Sequence, residues 1–248
     1  MKLLNRIKNA GYRAGISSLW HKMMPSFRVK KTFYGKTVYM DFRDNIDEFS
    51  QSSRELENRE QGLMEISLNV DGALWDVGAN IGLFSVRAAS AGCQCVAFEF
   101  SHRAAALLQQ TVTENRLPVV VVQRAFSSVP KLYEPAKTAG TRNQVGFSDH
   151  GSESSVTYRD AEAQYGTPAM IKMDIEGGEK EFFDSSDFKA WIVGKEICWL
   201  VELHPEVLGY VPEWPDVPRV TVDLFHHLYC ANQDKLVRLS AGFLPPEY

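Results

Sequence analysis

Apolar residues along this chain fall into short unbroken runs separated by stretches of helical spacing. Leu74–Val77, residues 94–99, Val119–Val122, Met170–Asp174 and Ile197–Leu203 are such runs, bounded by Gly, Pro, Asn or charged residues. Runs this short and this apolar read as strands buried on both faces. Between them, Ile81, Phe84 and Ala88 recur at helical spacing, so residues 82–91 read as a helix ended by Gly92. Residues 102–115 repeat Ala105, Leu108 and Val112 on one face, with Asn115 and Pro118 as stops, and 178–190 read as a third helix. Strand and helix in alternation predict an α/β fold with a doubly wound, mostly parallel sheet.

The flanks read differently. Residues 2–24 set Leu3, Leu4, Ile7, Leu19 and Met23 in a rough stripe among basic residues, which predicts an amphipathic basic helix. Residues 27–43 alternate around Tyr34-Gly35-Lys36 and predict a β-hairpin, and 53–69 read as a helix. Residues 1–69 are thus an extension in front of a domain spanning 70–248. Residues 127–168 are rich in Gly, Ser, Thr and Asn without a core period, and predict a lid or substrate wall. Beyond Pro205, Val220–Phe225 and Lys235–Leu239 read as two strands closing the sheet, antiparallel at its edge.

Where the first strand meets its helix, the sequence is Asp76-Val77-Gly78-Ala79-Asn80-Ile81-Gly82. Strand, glycine turn and helix is how an α/β sheet holds a nucleotide-like ligand, with N–H groups at the helix start. A dinucleotide fingerprint needs its last glycine five residues after the first and a glycine between them. Here Gly82 follows Gly78 by four, Asn80 takes the middle place, and Asp76 would repel a pyrophosphate. Glu99 ends the second strand, where an acid can take both ribose hydroxyls. A ligand with an amino-acid end and a ribose end suits both acids, and S-adenosylmethionine is one. Asp174 and His204, at the ends of the fourth and fifth strands, fall on the same rim.

Length and charge narrow the picture further. The 248 residues are 44% hydrophobic and 23% charged, ordinary for a globular protein, and no apolar run reaches a membrane-spanning length. The first 40 residues hold nine Lys or Arg and no acid, so the remaining 208 carry a net −13 of the total −4. Such an arm has two readings: a foot on an anionic membrane surface, or a helix packed on its own domain or on a second subunit in a homo-oligomer. The second is favoured. Cys93, Cys95, Cys198 and Cys230 lack metal-ligand spacing and read as reduced thiols. The expected location is cytoplasmic, with the membrane surface as the alternative, and no metal is expected.

The set Asp76-Val77-Gly78-Ala79-Asn80-Ile81-Gly82, Ala97-Phe98-Glu99, Asn115-x-Leu117, Ile171-Lys172-Met173-Asp174-Ile175-Glu176-Gly177-Gly178-Glu179 and Glu202-x-His204 resembles the FkbM-type methyltransferases. The resemblance covers roughly residues 70–205. It implies the class I, Rossmann-like methyltransferase fold, S-adenosylmethionine as cofactor, and O-methylation of a sugar, glycan or related natural product. The chain departs from the family where Phe100 replaces the usual Pro, and where prolines (Pro205, Pro212, Pro215, Pro218) replace a helix. Both departures bear on the acceptor more than on the cofactor.

Each site residue then has an expected role. Asp76 and Glu99 take the cofactor's amino-acid end and ribose. Gly78 and Gly82 let backbone approach the ligand, and Asn80 either donates to it or tolerates a left-handed backbone. Asp174 orients the cofactor ammonium or the acceptor hydroxyl. Glu179 suits a helix N-terminus through its dipole. Lys172 is set aside as a strand residue facing a helix. His204 is the first candidate for general base, since imidazole titrates near neutrality, and His150 is the reserve. The competing readings are a nucleotide-dependent oxidoreductase, disfavoured by the glycine spacing, a nucleic-acid methyltransferase, disfavoured by the acidic body, and a non-catalytic scaffold.

Overall fold

The structure, a computed structural model, describes residues 25–54, 72–136 and 145–202, and the backbone of strands Leu228–Asn232 and Lys235–Leu239. Strands β1 (Arg28–Phe33) and β2 (Lys36–Asp41) pair antiparallel, with Phe33 opposite Lys36. Tyr34 at φ 47 and Gly35 at φ 70 turn the corner. Two successive positive φ values match the right-handed twist of the flanking strands. A short helix α1 (Ile46–Ser50) follows, which the apolar pattern does not announce. The basic helix expected over 2–24, and nearly all of the helix expected over 53–69, lie outside the described residues.

The central sheet is built from β3 (Leu74–Val77), β4 (Cys95–Phe98) and β5 (Val119–Val122), with helix α2 (Leu83–Ser90) after β3 and α3 (His102–Asn115) after β4. After β5 the chain forms five short strands: β6 (Phe126–Ser127), β7 (Leu132–Glu134), β8 (Gly146–Phe147), β9 (Glu153–Ser154) and β10 (Val156–Thr157). Helix α4 (Tyr158–Tyr165) then leads into β11 (Met170–Met173). Helices α5 (Glu179–Asp184) and α6 (Ser186–Ile192) precede β12 (Cys198–Val201), and β13 (Leu228–Asn232) and β14 (Lys235–Leu239) end the series. The large sheet is parallel throughout, in the order β12-β11-β3-β4-β5. That is the Rossmann order, reversing between β3 and β11.

Alternation along the strands divides the core in two. Leu74, Cys95, Ala97 and Met170 face α2, α3 and the hairpin. Trp75, Val77, Phe98, Ile171 and Met173 face an aromatic layer that includes Phe126, Tyr158, Phe182, Phe188 and Trp191. Trp75 is fully buried there, stacked on Trp191 with centroids 6.3 Å apart. The hairpin is tied to α3 by Asn115, which accepts from Thr37 N–H at 2.9 Å and donates to Thr37 C=O at 2.7 Å. Thr111 Oγ1 accepts from Tyr39 N–H at 3.0 Å one turn earlier. The hairpin and the sheet are therefore packed together, with α3 supplying the partners that β2 would otherwise find in a further strand.

Two expectations need correction, and one segment holds structure that the pattern does not announce. Within 127–168, β7, β8 and β9 form a small antiparallel sheet, β10 pairs with β6, and α4 supplies the crossover to β11. Helix α4 escapes the periodicity because it is short and buries only Tyr158 and Ala161, yet Thr157 and Asp160 make a full capping box. The single helix expected over 178–190 is two helices, broken at Ser185, whose ψ of 114° is extended and whose side chain caps Phe188 N–H. Finally, β14 pairs antiparallel with β13, and these two make a sheet of their own; Val220–Phe225 lies outside the described residues.

Candidate functional site

Ligands in open α/β sheets sit beyond the carboxyl ends of the strands, where the order reverses. Here that crevice lies between β3 and β11, and the glycine turn leaves β3 directly above it. Gly78 (φ 79), Asn80 (φ 51) and Gly82 (φ 83) are all left-handed. The two glycines are also required by the protein's own packing. A Cβ on Gly78 would come within 1.7 Å of the Asp174 carbonyl oxygen, and one on Gly82 within 2.1 Å of Leu108 Cδ1. The turn is pressed against the end of β11 on one side and against α3 on the other.

The turn's N–H groups are largely consumed by the protein. Those of Gly78 and Ala79 both donate to Phe98 C=O at 3.0 Å, and that of Gly82 to Ala79 C=O at 2.8 Å. Asn80 N–H donates to Glu99 Oε2 at 2.7 Å, and Ser85 N–H to Asp76 Oδ2 at 3.1 Å. The expectation of N–H groups waiting for a ligand is not met at these positions. What the turn presents instead is an acceptor: Asn80 Oδ1 is buried and has no hydrogen-bond partner.

The acids divide into buried and accessible. Asp76 is 0% exposed; its Oδ2 also accepts from Ser85 Oγ at 2.6 Å. Gly82, at the start of α2, offers no side-chain cap, so this carboxylate from the preceding strand satisfies the helix's third N–H. Asp76 therefore sits beneath the turn and holds it, with no open carboxylate surface. Its Oδ1 lacks a hydrogen bond and faces Lys172 Nζ at 3.6 Å. Lys172 lies opposite Asp76 in the β3–β11 register and reaches Asp174 Oδ2 at 3.3 Å and Gly78 C=O at 3.2 Å. Burial alone would lower the Lys172 pKa, but Asp76, Asp174 and Glu202 together raise it above the ordinary lysine value. Asp174, at the end of β11, keeps 27% of its side-chain surface open, against none for Asp76.

Glu99 follows β4 and is buried at 5% exposure. Its oxygens accept from Ser101 N–H and Asn80 N–H, each at 2.7 Å. Burial pushes its pKa up to about 7, even though both N–H bonds and the Lys172 charge favour the carboxylate.

The rim thus gathers Asp76, Gly78, Asn80, Gly82, Glu99 and Asp174 as the sequence predicts, but with Asp76 in a supporting place. Sequence reasoning missed Ser85 and passed over Lys172. The signal for Lys172 was present, because a lysine two residues before Asp174 in a buried strand shares its side of the sheet with Asp174. Glu179 does more than favour a helix dipole: it is 1% exposed and accepts from Ile175 N–H at 2.8 Å and Gly177 N–H at 2.9 Å, clamping the turn after β11. His204 lies outside the described residues, and His150 is exposed in the turn between β8 and β9.

No family model matches the chain, and no curated protein is similar to it. Among solved structures, a SAM-dependent methyltransferase from Agrobacterium tumefaciens resembles it with a TM-score of 0.35 and 12% identity. The match covers 61% of this chain and spans only 40% of that one. Likeness at that level bears on neither ligand nor reaction, which rest on the site itself.

Proposed function

We propose that the protein is an S-adenosylmethionine-dependent methyltransferase of the FkbM type, acting on a hydroxyl of a sugar, glycan or related natural product. One observation carries the ligand class. The N–H donors of Gly78, Ala79, Asn80, Gly82 and Ser85 are spent internally, while carboxylates and the unpartnered Asn80 Oδ1 remain around the turn. A phosphate cradle offers donors and positive charge. This rim offers acceptors and negative charge, with its lysine already held by two acids, and so suits a ligand bearing an ammonium, a sulfonium and a ribose diol.

Bound here, S-adenosylmethionine supplies a methyl group already activated on sulfur. Glu99 would hold the ribose hydroxyls, and Asn80 Oδ1 and Asp174 would hold the amino end. Asp76 holds the turn through Ser85, and its charge lies beneath the crevice. The chemistry the cofactor would supply is methyl transfer to an acceptor hydroxyl, with the carbon–sulfur bond's electron pair left on sulfur as the oxygen–carbon bond forms. The hydroxyl proton passes to a base, the role proposed for His204, with Asp174 as the other titratable candidate. Alignment of the reactants supplies ~7–11 kcal/mol in favourable cases, and the base a further 10²–10⁴-fold by order of magnitude.

The test is titration calorimetry with S-adenosylmethionine and, separately, oxidised nicotinamide dinucleotide, followed by transfer of radiolabelled methyl to a surface-glycan extract. Saturable binding of the first alone supports the cofactor. Binding of the dinucleotide alone overturns it. Label appearing in nucleic acid but in no glycan overturns the acceptor class.

A further inference from the structure

We infer that Lys172 is the positioning residue of the site: its ammonium keeps Asp174 ionised and ties that carboxylate to the glycine turn. The inference rests on the methyltransferase reading only for what Asp174 receives; the coupling itself is a property of the free protein.

Four observations converge. Lys172 Nζ stands 3.3 Å from Asp174 Oδ2, 3.2 Å from Gly78 C=O and 3.6 Å from Asp76 Oδ1, so one ammonium joins the two strands that flank the crevice to the turn above it. Its side chain is 15% exposed, too little for water to replace these partners. The Asp76 oxygen that faces it has no hydrogen bond, which leaves the lysine charge as that oxygen's compensation. Gly78 also meets Asp174 through the backbone, since no Cβ would fit between them. The spacing of turn and carboxylate is therefore set twice, once by glycine contact and once by the lysine.

The charged groups around Lys172 come from four of the sheet's five strands. Asp76 is on β3, Asp174 ends β11, Glu202 follows β12, and Glu99 follows β4 and feels the lysine charge. Four carboxyl groups crowded into one crevice repel one another when charged, and the lysine offsets that repulsion. Asp174 is the most open of the groups the lysine touches, so it is the one through which the lysine reaches a ligand. Without Lys172, Asp174 would hold its charge less firmly and attract a cationic ligand less. An arginine keeps the charge but replaces a point donor with a broad planar fork, so it restores ionisation and not spacing.

The experiment follows the carboxyl carbon of Asp174 by NMR in wild type, Lys172→Met and Lys172→Arg, and measures S-adenosylmethionine affinity across pH 5–9. The Asp174 midpoint should climb by ~1–3 pH units in Lys172→Met. It should return toward wild type in Lys172→Arg. Affinity in Lys172→Met should gain a rising limb at that new midpoint. Should Lys172→Met not fold, Asp174→Asn reads the same coupling from the other side, because such coupling is reciprocal. The Lys172 ammonium should then titrate at lower pH than in wild type. An unmoved midpoint in Lys172→Met, or an unmoved lysine in Asp174→Asn, overturns the inference. If the midpoints move and wild type does not bind S-adenosylmethionine, the positioning role stands and the methyltransferase reading falls.

Discussion

Glu99 sets a pH dependence that can be worked out in advance. In the free protein burial raises its pKa to about 7, from an ordinary 4.5. Ribose hydroxyls donate, so they bind the carboxylate better than the acid. If only the carboxylate binds, affinity falls about tenfold for each pH unit below 7, or ~100-fold between pH 8 and pH 5. Some acceptor capacity survives protonation, so ~10–100-fold is expected. The same shift governs stability, with the sign reversed. Between pH 4.5 and 7 the folded protein holds a proton that the unfolded chain has released, so stability falls as pH rises through that window. The full shift corresponds to about 3 kcal/mol as an upper bound. Glu99→Gln removes both slopes: its affinity should be flat with pH, and its denaturation midpoint should not fall between pH 4.5 and 7 by the Glu99 increment. Calorimetry and urea denaturation across pH 4.5–9 measure these. A wild-type affinity for S-adenosylmethionine that is level from pH 5 to pH 8 would refute the assignment of Glu99 to a hydroxyl-donating ligand.

Three further outcomes test the frame around the site. Gly82→Ala should destabilise by ~1–3 kcal/mol, since its Cβ would meet Leu108 Cδ1 at 2.1 Å on a left-handed backbone, and Leu108→Ala in the same chain should recover part of that loss in a denaturant titration. Glu162 accepts from Trp191 Nε1–H at 2.6 Å and Thr167 Oγ1–H at 2.6 Å and pairs with Lys195; these partners outweigh burial and hold its pKa near 2. Its stabilisation is therefore complete above about pH 4.5 and lost as pH falls toward 2, and Glu162→Gln, costing ~1–3 kcal/mol at pH 7 after allowance for partial exposure, should show a shallower acid slope. Asn115→Ala removes both links to Thr37, and amide exchange at Thr37 should quicken by ~5–100-fold while S-adenosylmethionine affinity changes little.

How far the sequence could be read depended on where each signal is stored. Strand β5 and helix α3 were legible to the residue because a run of four valines and a clean apolar face each fix a local structure. The hairpin turn was legible because Tyr34-Gly35 sits between alternating strands. Helix α4 and the small sheet before it were not, because their stability comes from a capping box and from pairings across as many as 22 residues, as between Leu132 and Ser154. The break at Ser185 was hidden for a similar reason: Phe182 and Phe188 keep one apolar face across two helices. At the site, the residue types were visible and the division of labour was not. Strand parity places Asp76, Lys172 and Asp174 on one side of the sheet, but only burial shows that Asp76 serves Ser85 and that Lys172 lies between the two acids.

The polarity of the turn leads to a last prediction, in which one substitution should change the kind of ligand accepted. Glu99 occupies two N–H groups, those of Asn80 in the turn and Ser101 at the start of α3. Removing the carboxylate in Glu99→Ala takes away the acceptor for a ribose diol and at once frees both donors. Ser101 N–H lies at the N-terminus of the 14-residue α3, where the helix dipole favours an anion. Lys172 would also lose one of the negative charges that offset it. The variant should therefore bind S-adenosylmethionine ~10–150-fold more weakly, the loss of a charged hydrogen-bond acceptor. It should also acquire weak affinity for pyrophosphate, which wild type should lack. Calorimetry with both ligands on both proteins reads the exchange. If wild type binds pyrophosphate as well as Glu99→Ala does, the N–H groups of the turn are not what Glu99 withholds. The preference for a cationic ligand would then need another cause than the polarity of this rim.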